Sequence, residues 1–275
     1  MTPNRDTEKV EIDLLLEAVF KKYGYDFRHY ARASIERRIR QFLPKSGCPT
    51  ILKVIERLLG DEAFFGKLVR EFSTTVTEMF RDPDVYVSIR ENVIPLLKTH
   101  PFVKIWHAGC ATGEEAYSLA IALKEEGIYD RCTIFVTDFN DEALEKAKLG
   151  IYPIDRIKEA TRNYNKGGGG NSFSDYYQAQ YNSVSMNRDL RENMTFANYN
   201  LVTDGVFGEM HFILCRNVLI YFDRELQNRV FELFSGSLIR DGFLCLGTKE
   251  TINFSTVRDH FVTVDSQAKI YKKLP

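Results

Sequence analysis

The chain has 275 residues, 44% of them hydrophobic, and a formal net charge of −1. That length holds one large or two modest domains, and near-neutrality excludes a global attraction to nucleic acid or membrane, leaving only local patches. No apolar run is long enough to span a bilayer, and Met1 to Thr7 lacks the hydrophobic core of a signal peptide.

In chain order, Glu11 to Tyr23 places Ile12, Leu15, Leu16, Val19 and Phe20 at helical spacing, and Gly24 stops it. Tyr30 to Leu43 reads as a second helix with Ile35, Ile39 and Phe42 on one face; Pro44 and Gly47-Cys-Pro49 are expected to end it. Arg37, Arg38 and Arg40, with Arg32, make this a basic helix. The face reads either as solvated surface or as a docking face whose arginine forks suit an acidic partner, while Glu36 interrupts the run and speaks against nucleic acid. Ile51 to Leu59 and Ala63 to Phe72 add two short helices, so residues 1–82 form an expected helical domain. Ser73 to Asp82 is polar and β-branched, and is expected either as a linker or as a segment folding over a neighbouring ligand site.

A second expected domain covers 83–275. Val85 to Leu97 is helical, with Pro95 near its end. Val103, Ile105 and Trp106 belong to a buried strand, Gly109-Cys-Ala-Thr-Gly113 to a tight turn, and Glu114 to Glu126 to a helix. Thr133 to Asp138 reads as a second strand and Asn140 to Gly150 as a helix. Residues 152–196 break the pattern with the Gly167–Gly170 run and many Tyr, Ser and Asn. They are expected to form an inserted antiparallel ribbon with a flexible glycine tip, the alternative being a disordered loop. The α/β alternation returns at Met194 to Leu201, and residues 212–215 form a buried strand with Arg216-Asn217 at its carboxyl end. A helix from Leu226 to Leu238, a strand from Phe243 to Leu246 and a terminal hairpin pair follow. Cys48, Cys110, Cys132, Cys215 and Cys245 lack metal-ligand spacing, so no metal is expected and the thiols read as free, in a reducing cytoplasm.

The chemistry concentrates at the glycine turn. Gly109 and Gly113 allow a sharp bend and, lacking Cβ, would let a ligand approach the helix N-terminus. Glu114 and Glu115 sit where a dinucleotide enzyme would hold a pyrophosphate, and would repel one. Asp138, at the end of the second strand, stands where an acid takes ribose hydroxyls. A nucleoside with a cationic, phosphate-free tail fits this set, and S-adenosylmethionine is such a molecule. The alternative is an N-capping Thr112 with first-turn glutamates matched to the helix dipole.

Gly109-Cys-Ala-Thr-Gly-Glu-Glu-Ala-Tyr-Ser118, Thr137-Asp138, Asn200-Leu201, Cys215-Arg-Asn-Val-Leu-Ile-Tyr-Phe222 and Thr75-Val-Thr-Glu-Met-Phe-Arg81 together resemble the signature blocks of the bacterial chemotaxis receptor methyltransferases, the CheR family. The resemblance covers nearly the whole chain in the same order. It implies an N-terminal helical domain, a Rossmann-like class I methyltransferase domain and a small inserted β-subdomain. It implies an enzyme that methylates glutamate side chains on the cytoplasmic region of methyl-accepting chemotaxis receptors, with S-adenosylhomocysteine as product. Carried over, cofactor contacts fall on Thr75, Thr77, Arg81, Gly109, Gly113, Glu114 or Glu115, Asp138, Asn200, Leu201, Arg216 and Asn217. From the residues themselves, Arg81, Arg216 and Tyr221 are expected to position the acceptor at the cofactor's methyl end, with Arg81 and Tyr221 as catalytic residues, and the clustered Arg37, Arg38 and Arg40 to dock an acidic helical substrate. The chain departs from the pattern at Thr75, where many members have Asn, at Met79, which replaces a Phe, and in the glycine run of an insertion that grips a receptor tail peptide in some members. A monomer is expected, without nucleic acid or membrane insertion. Two other functions compete: a lapsed enzyme kept as a cofactor-binding scaffold, and a methyltransferase with another acceptor.

Overall fold

The computed structural model describes residues 5–73 and 77–275. The chain separates into two compact units: Met1–Thr74 with Ile220–Arg229, and Thr75–Leu219 with Val230–Pro275.

The first unit holds four helices, α1 (Arg5–Tyr23), α2 (Arg32–Ser46), α3 (Ile51–Gly60) and α4 (Glu62–Phe72). Apolar residues at helical spacing become its core: Ile12, Leu15, Leu16 and Val19 of α1, Ile35, Ile39 and Phe42 of α2, and Phe64, Leu68 and Phe72 of α4 are all buried. Pro44 lies inside α2 rather than ending it, and the helix stops at Gly47 with φ +71, the left-handed position glycine takes most readily. The 220–229 segment joins this unit by chain pairing. Ala31 N–H donates to Tyr221 O at 2.8 Å, and the rings of Tyr30 and Phe222 meet edge-on at 4.9 Å.

In the second unit α5 (Pro83–Ser88) runs through a π-helical turn, Ile89–Val93, into α6 (Ile94–Leu97). The wide turn falls just before Pro95, which lacks an N–H for the regular ladder. The chain then lays down β1 (Val103–Ala108), α7 (Glu114–Glu125), β2 (Cys132–Asp138), α8 (Asp141–Leu149), β3 (Ile151–Pro153), α9 (Ile157–Lys166), β4 (Tyr177–Gln180), β5 (Ser183–Met186), β6 (Met194–Asn198), β7 (Met210–Cys215), α10 (Arg224–Ser237), β8 (Leu238–Leu246), β9 (Phe261–Asp265) and β10 (Ile270–Lys273). The main sheet has the order β6-β2-β1-β7-β8-β10-β9. It is parallel from β6 to β8, with β10 antiparallel to both β8 and β9. Ile105, Trp106, Ile134, Phe212, Leu214 and Cys245 are wholly buried, as strands covered on both faces require. Chain order reverses at β1: β2 and β6 go to one side, β7 to the other. That places a crevice outside the carboxyl ends of β1 and β7.

The insertion is a three-stranded antiparallel sheet, β3-β5-β4. Its hairpin tip is Tyr181-Asn182, with Tyr181 at φ +52. The glycine run is not this tip. Residues 157–166 form α9, and Gly167–Gly170 follow its last turn, with Gly167 N–H donating to Asn163 O and Gly169 N–H to Tyr164 O. Among the described residues no helix is long and apolar enough to cross a membrane.

Candidate functional site

The turn after β1 is held by backbone bonds. Gly109 and Cys110 N–H both donate to Thr137 O, at 2.8 and 2.9 Å, and Gly113 N–H donates to Cys110 O at 2.9 Å. The backbone turns left-handed at Gly109 (φ +77), Ala111 (+49) and Gly113 (+91). A Cβ on Gly109 would lie 2.5 Å from Val218 Cγ2, and one on Gly113 2.7 Å from Ala147 Cβ. The protein's own side chains therefore fill the space the glycines leave, which corrects the expectation of a ligand entering there. The glycines serve the tight turn. Thr112 does not cap α7: Gly113 is the capping residue and offers no side-chain bond.

Three carboxylates gather at these strand ends, all more than nine-tenths buried. Asp138 accepts from Ala111 N–H at 2.8 Å on one oxygen and from Asn140 N–H at 2.9 Å on the other. Burial pushes its carboxyl up while those two amides oppose the shift. A carboxylate has about four lone-pair sites, so acceptor capacity remains for a hydroxyl donor. Glu114 accepts from Thr112 Oγ1 at 2.6 Å, and burial raises its carboxyl too. Glu115 differs. Its Oε2 lies 3.1 Å from His107 Nε2, and its Oε1 accepts from Arg216 Nη1. Burial works against its ionisation, but the Arg216 cation and His107 outweigh it and hold the carboxyl down at about 2.

Arg216, after β7, is 4% exposed. It also donates to Arg81 O at 3.1 Å and to Asp82 Oδ2 at 2.6 Å. Burial disfavours its charge and Glu115 restores it, with a net rise. Asn217 turns left-handed at φ +60, and its N–H donates to Glu250 Oε2 at 3.0 Å, which also accepts from Gly247 N–H at 2.6 Å. Arg81 stands between two further left-handed residues, Phe80 (φ +51) and Asp82 (φ +52), and its guanidinium makes no hydrogen bond or ion pair to a described residue. Four of the seven non-glycine residues with positive φ among the described residues, Phe80, Asp82, Ala111 and Asn217, thus lie at this site, where backbone strain tends to collect.

The strand ends bring together Gly109, Gly113, Glu114, Glu115, Asp138, Arg81, Arg216 and Asn217. Asn200 and Leu201 follow β6 directly, where Tyr199 N–H donates to Asp138 O at 3.1 Å and Asn200 Oδ1 accepts from Val202 N–H at 3.0 Å. Thr77 reaches the insertion through its carbonyl, 3.5 Å from Arg156 Nη1, and Arg156 also acts electrostatically on Glu114. Thr75 lies outside the described residues. Tyr221 and the basic helix belong to the first unit.

There the expectation of three exposed arginines fails at Arg38. It is 6% exposed, donates to Glu71 O and Phe72 O at 2.9 and 2.7 Å, and lies 4.9 Å over the Tyr221 ring. Arg40 pairs with Glu8 and Glu36 at 2.8 and 3.4 Å, while Arg37 is exposed. His107, Ser118, Asp82 and Glu250 join this hydrogen-bond network and were not singled out by the sequence: His107 and Ser118 are lone polar residues among apolar ones, and Asp82 and Glu250 sit in ordinary charged stretches, so none carries a spacing signal.

Comparisons with known proteins identify the family. Residues 75–270 match the family described as CheR methyltransferase, SAM binding domain, and residues 10–73 its all-alpha domain. A Pseudomonas putida protein bearing the name methyltransferase Cher3 is 46% identical over 273 residues, covering 99% of this chain and 100% of that one. The chemotaxis protein methyltransferase of Borreliella burgdorferi is 28% identical, covering 90% of each chain, and that of Salmonella typhimurium is 26% identical, covering 90% of this chain and 85% of that one. With carboxylates that suit hydroxyls and cations at the end of a Rossmann-like sheet, and with both family domains matched end to end, the chain belongs to the CheR methyltransferases and its cofactor is S-adenosylmethionine.

Proposed function

We propose that this protein methylates glutamate side-chain carboxylates on the cytoplasmic region of chemoreceptors, acting in the cytoplasm as a monomer. The observation that carries the reading is the state of His107. Its Nε2 faces the Glu115 carboxylate at 3.1 Å and the residue is 1% exposed, so the ring is not placed to meet an incoming hydroxyl or amine. A glutamate acceptor needs no base, because its ordinary pKa of about 4.3 leaves it ionised at neutral pH.

S-adenosylmethionine supplies an electrophilic methyl group on a sulfonium. Asp138 holds the ribose hydroxyls, and Glu114 faces the cationic tail. Thr77, Asn200 and Leu201 border the same ligand. Arg81 brings a guanidinium without a partner among the described residues, and we assign it to the acceptor carboxylate, whose planar form suits the arginine fork. Alignment of acceptor with methyl and exclusion of water then supply most of the rate, since positioning contributes roughly 7–11 kcal/mol in favourable cases. Tyr221 is assigned no step, because its backbone and ring are engaged by Ala31 and Arg38. Arg37 and Arg40 are the residues left to meet an acidic receptor helix.

The test is mass spectrometry of chemoreceptor cytoplasmic fragments incubated with the enzyme and methyl-labelled cofactor. Label on glutamate peptides supports the reading. Label on lysine or hydroxyl residues, or none on any receptor of the host, overturns it.

A further inference from the structure

Glu114 and Glu115 are adjacent in sequence but part company in space. Both oxygens of Glu115 are taken by groups of the fold, one by His107 of β1 and one by Arg216 after β7. Arg216 passes that fixation on, donating to the carbonyl of Arg81 and to the carboxylate of Asp82. Asp82 stands at the capping position of α5, yet makes no side-chain cap there; its carboxylate serves Arg216 instead. On the other flank, Phe80 N–H donates to Ser118 Oγ at 2.9 Å, and Ser118 donates to Glu114 O at 2.8 Å, one turn back in α7. Arg81 is thereby gripped from both sides by α7 and β7, between two residues in left-handed backbone that neither Phe nor Asp adopts without cost. Three buried polar atoms around the same cluster, Tyr86 Oη, His107 Nδ1 and Arg216 Nε, lack a hydrogen-bond partner among the described residues. A fold rarely keeps so many together where packing alone is at stake.

We propose that Glu115 is a positioning residue that never touches the cofactor: through Arg216, and with Ser118 and Asp82, it clamps residues 79–82 so that Arg81 points at the acceptor. This rests on the reading of Arg81 as the group that meets the acceptor. The carboxylate facing the cofactor is then Glu114 alone.

Two measurements on the full chain decide it without any acceptor. In Glu115→Gln, hydrogen exchange followed by mass spectrometry should show the 79–86 segment losing protection at least about tenfold, while calorimetry with S-adenosylhomocysteine should show a dissociation constant within about threefold of wild type. Weakened binding with an unchanged loop would make Glu115 a cofactor contact and overturn the proposal, as would no change in either. If both change together, Asp82→Asn decides, since it touches the clamp only from the loop side: lost protection with retained binding supports the clamp, and any other result overturns it. A third measurement uses a chemoreceptor cytoplasmic fragment. Arg81→Ala and Glu115→Gln should each lower kcat with the cofactor KM little changed, and the double variant should be no slower than Arg81→Ala. Additive losses would contradict action through Arg81. A fragment that accepts no methyl group speaks against the acceptor reading, and the first two measurements still judge the clamp.

Discussion

Between Gly109 and Gly113 the backbone turns left-handed three times, whereas between Gly167 and Gly170 it does so once, at Gly168. The first stretch is tied to functional side chains: Asp138 binds Ala111, Thr112 binds Glu114, and Val218 fills the hollow beside Gly109. The second is a collar around Tyr164, whose ring would lie 2.2 Å from a Cβ on Gly169. Tyr164 Oη donates to Glu125 of α7 and accepts from Asn171 N–H at 2.9 Å, and Tyr176 Oη donates to the same Glu125 at 2.8 Å. Arg90 completes the ion pair with Glu125. One glycine stretch therefore shapes the turn that sets Ala111 and Thr112 against Asp138 and Glu114, and the other fastens the insertion to α7. Glycine count alone carries no such distinction. What distinguishes the two is which polar groups the turn delivers to the strand ends.

That contrast can be broken at several points. The largest effect is expected at Glu115, beside the first turn. Removing one partner of a buried ion pair typically costs about 3–5 kcal/mol, so Glu115→Ala should melt far below wild type. The pH dependence has a definite sign. The folded carboxyl is held down at about 2 against an ordinary 4.5, so its contribution is present above pH 4.5 and is lost as pH falls toward 2. Linkage puts it at about 3 kcal/mol. The raised carboxyls of Glu114 and Asp138 act in the opposite sense, losing stability as pH rises through their folded values. The quantity to follow is therefore the difference in unfolding free energy between wild type and Glu115→Gln, which should shrink steadily from pH 5 to pH 2.

Gly109→Ala comes next. It pairs a left-handed backbone angle with a 2.5 Å approach to Val218, and strain plus overpacking should cost about 2–4 kcal/mol in denaturant unfolding. Asp138→Ala should act mainly on the ligand. Loss of a charge-assisted hydrogen bond is worth about 1.5–3 kcal/mol, or about tenfold to a hundredfold in the calorimetric dissociation constant for S-adenosylhomocysteine. The smallest effect belongs to the second stretch: a Cβ on Gly170 meets nothing within 4 Å. Gly170→Ala should stay within about 0.5 kcal/mol of wild type and leave cofactor affinity unchanged. A large loss there would erase the distinction between the two stretches.

Much of this was legible in the sequence, because continuous apolar strands beside glycine turns and amphipathic helices report burial directly. The strands around Trp106, Ile134 and Leu214 and the ends at Asp138 and Arg216 come from that signal. Other features were masked by competing ones. Arg38 was read as surface by residue type, yet it stands three residues after Ile35 and four before Phe42, on the buried stripe of α2; periodicity outranked charge. Ile157, Ala160 and Tyr164 also keep helical spacing, but the Asn, Thr and Gly around them have low helix propensity and hid α9. The separate roles of Glu114 and Glu115 were not readable at all. One residue turns a helix by about 100°, and only the positions of His107 and Arg216 in three dimensions show which carboxylate is taken by the fold.

The central claim is that the acceptor is a carboxylate, and its product identifies it. A methyl ester hydrolyses in mild alkali, whereas N-methyl groups and methyl ethers do not. Chemoreceptor cytoplasmic fragment, enzyme and methyl-labelled S-adenosylmethionine are incubated together, the pH is raised, and volatile methanol is collected. The account predicts that the label leaves the protein as methanol, and that Arg81→Ala greatly reduces the amount. Label that stays on the protein after alkali would contradict it.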